Sequence, residues 1–160
     1  MNEWPGEVER VAAFLRGAAA EARIEEFAVE TATAADAARA AGCDVGDIVK
    51  SLIVVCDDRP VLALVPGDRR GDTEKIARAA GATRARVAHA REVPGLTGFA
   101  PGAVAPFPLE NVDRALIERV LLARDELWIG AGSTRHMAAL PTRELVRLTR
   151  AAPADLVAAD

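Results

Sequence analysis

One lysine and one uncharged loop are the parts of this chain best suited to chemistry. Lys50 stands in Asp47-Ile48-Val49-Lys50-Ser51-Leu52-Ile53-Val54-Val55, at the head of the most apolar run. An ammonium placed there either snorkels to water or meets a partner. It is a compact donor that can grip a phosphate, a carboxylate or a carbonyl. The competing reading is an edge lysine that discourages sheet pairing. The loop is Leu96-Thr-Gly-Phe-Ala-Pro-Gly-Ala-Val-Ala-Pro-Phe107. Gly98 and Gly102 open backbone angles closed to other residues and let a ligand approach the main chain. Pro101 and Pro106 fix φ and remove two N–H groups. A stiff apolar loop of this kind holds something small, or else simply connects two strands.

Three further clusters are weaker. Gly130-Ala131-Gly132-Ser133 can bring amides close to an anion or carbonyl, but a dinucleotide fingerprint fails because Arg135 occupies the third glycine position. Ser133 and His136 are a serine and a base, yet no Gly-x-Ser-x-Gly surrounds the serine, and Ser-x-x-His spacing says little. Arg69, Arg70 and Lys75, in and after Pro66-Gly67-Asp68-Arg69-Arg70-Gly71-Asp72, can form a phosphate-contacting patch beside a helix start or a solvated turn. Cys43, Cys56, His89 and His136 match no common zinc spacing, and the two cysteines read as apolar thiols.

These residues need elements to hold them. Glu7 to Ala22 has the apolar spacing of a helix, and Ile24 to Val29 reads as a strand. Thr33 caps a helix that Gly42 ends, and Asp72 caps another that Gly81 stops. Ile48 to Cys56 is a strand that turns at Asp57-Asp58-Arg59-Pro60 into Val61 to Val65, a hairpin. Arg84 to Ala88, a segment starting at Val104, Leu127 to Ala131 and Met137 to Leu140 are further strands. Ala90 to Leu96 is a helical turn, Asp113 to Leu122 fits strand or helix, Pro141 to Arg150 is the last helix, and Ala151 to Asp160 is expected to fray. Without a regular βαβ rhythm, this order predicts an α+β fold: a central mixed sheet with helices packed around it, not a doubly wound parallel sheet.

The 160 residues fit one domain, with residues 1–22 as an N-terminal helical extension. A net charge of −4 argues against a protein that clings to duplex DNA. No apolar run has the length of a membrane span, and Met1-Asn2-Glu3-Trp4-Pro5 lacks the basic start and apolar stretch of a signal peptide. A cytoplasmic location is the expectation.

In order, these pieces resemble the YbaK family, stand-alone relatives of the editing domain of bacterial prolyl-tRNA synthetase. The likeness runs from about Thr31 to Leu148 and implies that the central mixed sheet is partly barrel-like. It rests on Thr31-Ala-Thr-Ala-Ala-Asp-Ala-Ala38, Ile48-Val-Lys-Ser-Leu52, Val65-Pro-Gly-Asp-Arg-Arg70 with Lys75-Ile-Ala77, the Gly98…Gly102…Pro106 loop, and Leu140-Pro141 with Glu144-Leu145. The resemblance implies hydrolysis of the ester in a mischarged aminoacyl-tRNA bearing a small amino acid, of the Ala- or Cys-tRNA(Pro) type. Lys50 then helps place the substrate, and Gly102 offers a backbone contact near the ester carbonyl. Thr31, Phe99, Pro101, Pro106, Gly130, Ala131, Gly132 and His136 line the substrate, while Arg69, Arg70 and Lys75 meet tRNA phosphates. Water attacks without metal or organic cofactor. The implied partners are the aminoacyl-tRNA acceptor end and prolyl-tRNA synthetase. Many members carry a serine where Gly130 stands, a polar role that His136 can partly take. The alternatives are a non-catalytic module binding an acceptor end or aminoacyl-nucleotide, and a small-ester hydrolase outside translation.

Overall fold

The computed structural model describes residues 4–31 and 33–159. Met1 to Glu3, Ala32 and Asp160, which belong to the expected N-terminal segment, the Thr/Ala-rich motif and the tail, lie outside the described residues. The expected mixed α+β fold is present, with its strands divided between two sheets.

The first sheet is antiparallel. It sets β1 (Arg23–Glu26) beside β7 (His136–Pro141), and β7 beside β6 (Glu126–Ser133). The second sheet runs in the order β4 (Ala85–Val87), β2 (Val49–Cys56), β3 (Arg59–Pro66), β5 (Ala115–Glu118), β8 (Ala152–Ala154). Its β4–β2–β3 part is antiparallel and its β3–β5–β8 part parallel. A single parallel bridge, Ile48 to Trp128, joins the two sheets and partly closes them around the core.

The β2–β3 hairpin follows from its residues. β-branched side chains fill β2, and the turn needs only Asp57 and Asp58, both at positive φ (47° and 69°), as the tight hairpin turn requires. The Asp57 carboxylate accepts the Thr83 and Arg84 amides at 2.8 and 3.0 Å and ties β4 to the turn. Arg59 and Pro60, expected in the turn, therefore already belong to β3.

Helix caps match the sequence. Thr33 accepts the Asp36 amide at the start of α2 (Ala34–Ala41), and Asp72 accepts Glu74 and Lys75 amides at the start of α3 (Thr73–Ala80). Gly42 and Gly81 end these helices in the left-handed conformation. The remaining helices are α1 (Gly6–Gly17), α4 (Val93–Thr97) and α5 (Thr142–Thr149).

Several expectations are corrected. Helix α1 stops at Gly17, five residues early, because Ala19 takes a positive φ and turns the chain. It packs on the core: Val8 and Val11 are fully buried, and Val11 and Leu15 join the main core with Phe99, Leu62 and Ile129. β1 ends at Glu26, leaving Val29 60% exposed. The segment at Val104 forms no strand. Asp113 to Leu122 splits into β5 and a 3-10 turn, Arg119–Ala123. The tail does not fray. β8 pairs with β5, Leu156 is fully buried, and the Leu156 amide is held by the buried Glu118 carboxylate at 2.9 Å. Main-chain bonds from Asp72 to Leu156 and from Ala158 to Arg70 tie the tail to the turn before α3.

Candidate functional site

A cavity of about 360 Å³ opens where the two sheets meet. Four segments line it: the start of α2 with Thr31, the first half of β2, the turn at Gly102–Val104, and the β6–β7 hairpin. β4 covers β2 only along Val54–Cys56, so Val49 to Leu52 keep an open edge, and this stretch faces the cavity.

Lys50 lies on that open stretch of β2, opposite Val65. Its Nζ donates to the Arg69 carbonyl at 2.6 Å. Partial burial pushes its pKa below the ordinary lysine value, and Asp68 pulls the other way. Ser51 beside it has a buried Oγ with no hydrogen-bond partner among the described residues.

The turn at Gly102 has a simple local cause. Ala100-Pro101-Gly102-Ala103 closes with an Ala103 N–H to Ala100 carbonyl bond of 3.0 Å, and Gly102 has φ 81°. Proline followed by a positive-φ glycine is the signature of a type II turn. Among the described residues the Gly102 and Val104 amides donate to no acceptor. A Cβ at Gly102 would meet nothing, whereas one at Gly130 would lie 2.9 Å from the Val104 carbonyl. Gly130 thus lets the loop close down on β6.

The hairpin contributes the polar wall. Ser133 and His136 flank the two-residue turn Thr134-Arg135 and pair across it. Ser133 Oγ lies 2.5 Å from His136 Nδ1 and also accepts the Arg135 amide at 3.0 Å. His136 is 3% exposed, and Trp4 meets its ring edge-on at 5.8 Å. Glu26 brings a carboxylate oxygen within 3.1 Å of Nε2, but out of hydrogen-bond alignment, so Nε2 has no true acceptor.

The expected site residues divide into two groups. Lys50, Gly102, Thr31, Gly130 and His136 come together around the cavity. Phe99, Pro101, Pro106, Ala131 and Gly132 do not line it. Phe99 is 1% exposed, with its ring in the main core, because an aromatic side chain gains most by burial. Pro101 forms the exposed corner of the turn, and Pro106 lines a separate groove with Phe14 and Phe107. Ala131 points into the core, and Gly132 sits in a bulge against the Glu7 backbone. The basic trio is largely held inside the molecule: Lys75 by Asp155 at 3.1 Å and the Val157 carbonyl at 2.8 Å, Arg69 by the Ala158 carbonyl at 3.1 Å, with Arg70 exposed. Among the described residues no three His, Cys, Asp or Glu side chains gather as a metal site.

Sequence reasoning missed Ser51, Met137 and the small face of α2 formed by Ala34 and Ala37, all of which line the cavity. It also undervalued the Ser133–His136 pair. The signal was available: in a hairpin with a two-residue turn, residues i and i+3 stand opposite each other.

A sequence profile described as the aminoacyl-tRNA editing domain matches residues 28–148. A crystal structure described as "a putative trans-editing enzyme for prolyl tRNA synthetase" superposes with a TM-score of 0.91 and 35% identity, covering 98% of this chain and all of the other. Proline–tRNA ligase 1 of Anaeromyxobacter dehalogenans is 34% identical over 83 residues, 52% of this chain and 14% of the ligase. The "Putative Cys-tRNA(Pro)/Cys-tRNA(Cys) deacylase EbsC" of Enterococcus faecalis is 24% identical over 118 residues, 73% of this chain and 72% of that protein. The chain spans 14–16% of the length of the first proline–tRNA ligases it matches. No helix among the described residues is long and apolar enough to cross a membrane. By the profile over residues 28–148, the chain belongs to the aminoacyl-tRNA editing-domain family.

Proposed function

We propose that this protein hydrolyses the ester of a mischarged aminoacyl-tRNA that carries a small amino acid, with Ala- and Cys-tRNA(Pro) as the first substrates to try. The observation that carries this reading is the convergence of Lys50 and the Gly102 turn on one cavity of about 360 Å³. In this reading the Lys50 ammonium holds an oxygen of the terminal nucleotide or the ester, positioned by its bond to the Arg69 carbonyl. The uncommitted Gly102 and Val104 amides donate to the oxyanion that forms when water adds to the ester carbonyl. Breaking the tetrahedral adduct releases the amino acid and leaves the ribose hydroxyl protonated. The Ser133 hydroxyl, held by His136, orients the water or the α-amino group. Ala34, Ala37 and Met137 set the room left for the acyl side chain. Such a wall excludes a bulkier residue by overlap more sharply than it favours a smaller one by contact. The partner enzyme is then prolyl-tRNA synthetase, whose errors the deacylase clears.

Gly130 favours a second reading. The resemblance implies a serine there in many members, and here the Val104 carbonyl fills the space its Cβ would need. The site then binds an acceptor end without turning it over. One experiment decides: incubate the protein with Ala-, Cys-, Ser- and Pro-tRNA(Pro) and measure deacylation beside Lys50→Ala. Loss of a small acyl group, strongly reduced in the variant, supports hydrolysis. Saturable binding with no turnover supports the second reading, and neither outcome on any substrate rejects both.

A further inference from the structure

We infer that helix α1 is a working part of the site and that Arg10 is its positioning residue, holding the loop that carries the Gly102 turn. The inference rests on the proposed deacylase reading for its catalytic arm, but its structural arm does not. The matched family segment begins at residue 28, beyond α1. Yet α1 and the residue leading into it touch both glycine-bearing walls of the cavity.

On the loop side, Arg10 Nη2 donates to the Gly98 carbonyl at 2.5 Å. The guanidinium lies over the Phe99 ring, with Cζ 4.6 Å from the centroid. Nη1 pairs with Glu110 at 3.4 Å, across the far end of the same irregular segment. A Cβ at Gly98 would lie 2.6 Å from Glu110 Oε1 and 2.9 Å from Arg10 Nη1, so glycine is what lets this clasp close. Arg10 therefore fixes the carbonyl and the ring that immediately precede Ala100-Pro101-Gly102-Ala103. A planar cation that stacks and donates at once is a job lysine performs only in part.

On the hairpin side, a Cβ at Gly132 would meet the Glu7 backbone at 2.9 Å. Trp4 lies edge-on to His136. One rigid helix thus sets the spacing between the Gly102 turn and the Ser133–His136 wall. Placement errors of about 1 Å cost orders of magnitude in a reaction that depends on positioning.

Arg10→Met, Arg10→Lys and Val61→Ala separate this role from simple stability. Val61 is buried with Val54, Ile76 and Leu116 in a core cluster separate from the one that holds Phe99. Amide exchange is followed first, without any substrate. The Phe99 and Ala103 amides, bonded to Thr97 Oγ1 and the Ala100 carbonyl, should exchange at least ten-fold faster in Arg10→Met and unchanged in Val61→Ala. Deacylation of the best aminoacyl-tRNA should then show kcat reduced about ten-fold in Arg10→Met with KM within three-fold, partial recovery in Arg10→Lys, and wild-type kcat in Val61→Ala. If the methionine variant does not fold, the lysine variant carries both measurements with smaller changes. Exchange at Phe99 and Ala103 equal in all folded proteins overturns the inference. A wild type that turns over nothing, with the exchange difference present, sinks the deacylase reading and leaves the clasp standing.

Discussion

The two long walls of the cavity are built on opposite principles. The Lys50 wall is a strand. Eight residue pairs with β3 set its register, and the ladder fixes Lys50 with no special side chain. The Gly102 wall is irregular from Gly98 to Val112 and has no ladder. Its rigidity comes from scattered side-chain bonds: Thr97 Oγ1 to the Val93 carbonyl, Asn111 Nδ2 to the Gly95 carbonyl, Arg10 to the Gly98 carbonyl. A strand presents a charge at a fixed depth, whereas a turn can aim two nearby amides, here those of Gly102 and Val104, at one point. The first kind of wall tolerates change beside the functional residue. The second is exposed to any change in its distant fastenings.

The largest expected effect tests the strand wall. Lys50→Ala should lower deacylation about 100-fold, the size of a lost charge-assisted bond of about 3 kcal/mol, with the melting temperature nearly unchanged. Lys50→Arg should recover little, since a planar fork does not reproduce a point donor. Turnover within three-fold of wild type in the alanine variant removes Lys50 from the site.

Next comes the seam between the walls. Placing a hydroxyl at the seam, Gly130→Ser, should lower turnover about ten-fold, because its Cβ must displace the Val104 carbonyl from 2.9 Å. A crystal structure of the variant would show the loop moved away from β6. A gain in rate, with the loop in place, would mean that the missing hydroxyl limits the reaction.

A pair of glycines then sharpens the contrast between strain and function. Gly42 and Gly102 both have left-handed backbones, at 73° and 81°, and open space where a Cβ would go. Alanine at either should cost about 1–2 kcal/mol of stability. Only Gly102→Ala should also reduce kcat, about ten-fold. Equal kinetic effects at the two positions would assign the loss to general destabilisation.

The smallest effect lies outside both walls. Glu144 accepts two bonds from Arg147 and one from the Glu21 amide, and the Arg147 contact chiefly lowers its pKa from 4.5 to about 2. Folding therefore favours the ionised form. That contribution is complete above about pH 4.5 and is lost as pH falls toward 2. Melting curves of Glu144→Gln should lose less between pH 4.5 and 2 than those of the wild type, while turnover at neutral pH stays the same. Parallel pH profiles would show that the bond adds nothing to stability.

How far the sequence could be read follows the same division. Elements whose cause is local were legible: the Thr33 and Asp72 caps, the Gly42 and Gly81 stops, the hairpin of β2 and β3. So was the convergence of Lys50 with the Gly102 turn, through a resemblance carried by short motifs in order. What escaped depends on distant partners. Ala152-Pro153-Ala154 has no strand signature of its own and is a strand because β5 offers it an edge. Phe99 looked like a pocket residue because its loop is apolar, but a ring beside α1 gains more from the core. Lys75 and Arg69 looked available for phosphates until the tail supplied their acceptors.

The crowding at Gly130 and Gly132 has a consequence for how this site can diversify. Neither position accepts a side chain without moving backbone, the Val104 carbonyl in one case and the Glu7 turn of α1 in the other. Mutational drift toward a new acyl group is therefore channelled to the other lining positions, Thr31, Ala34, Ala37 and Met137, which carry ordinary side chains. A library aimed at changing selectivity belongs at those four positions. Members that replace Gly130 would break the seam before they meet a substrate.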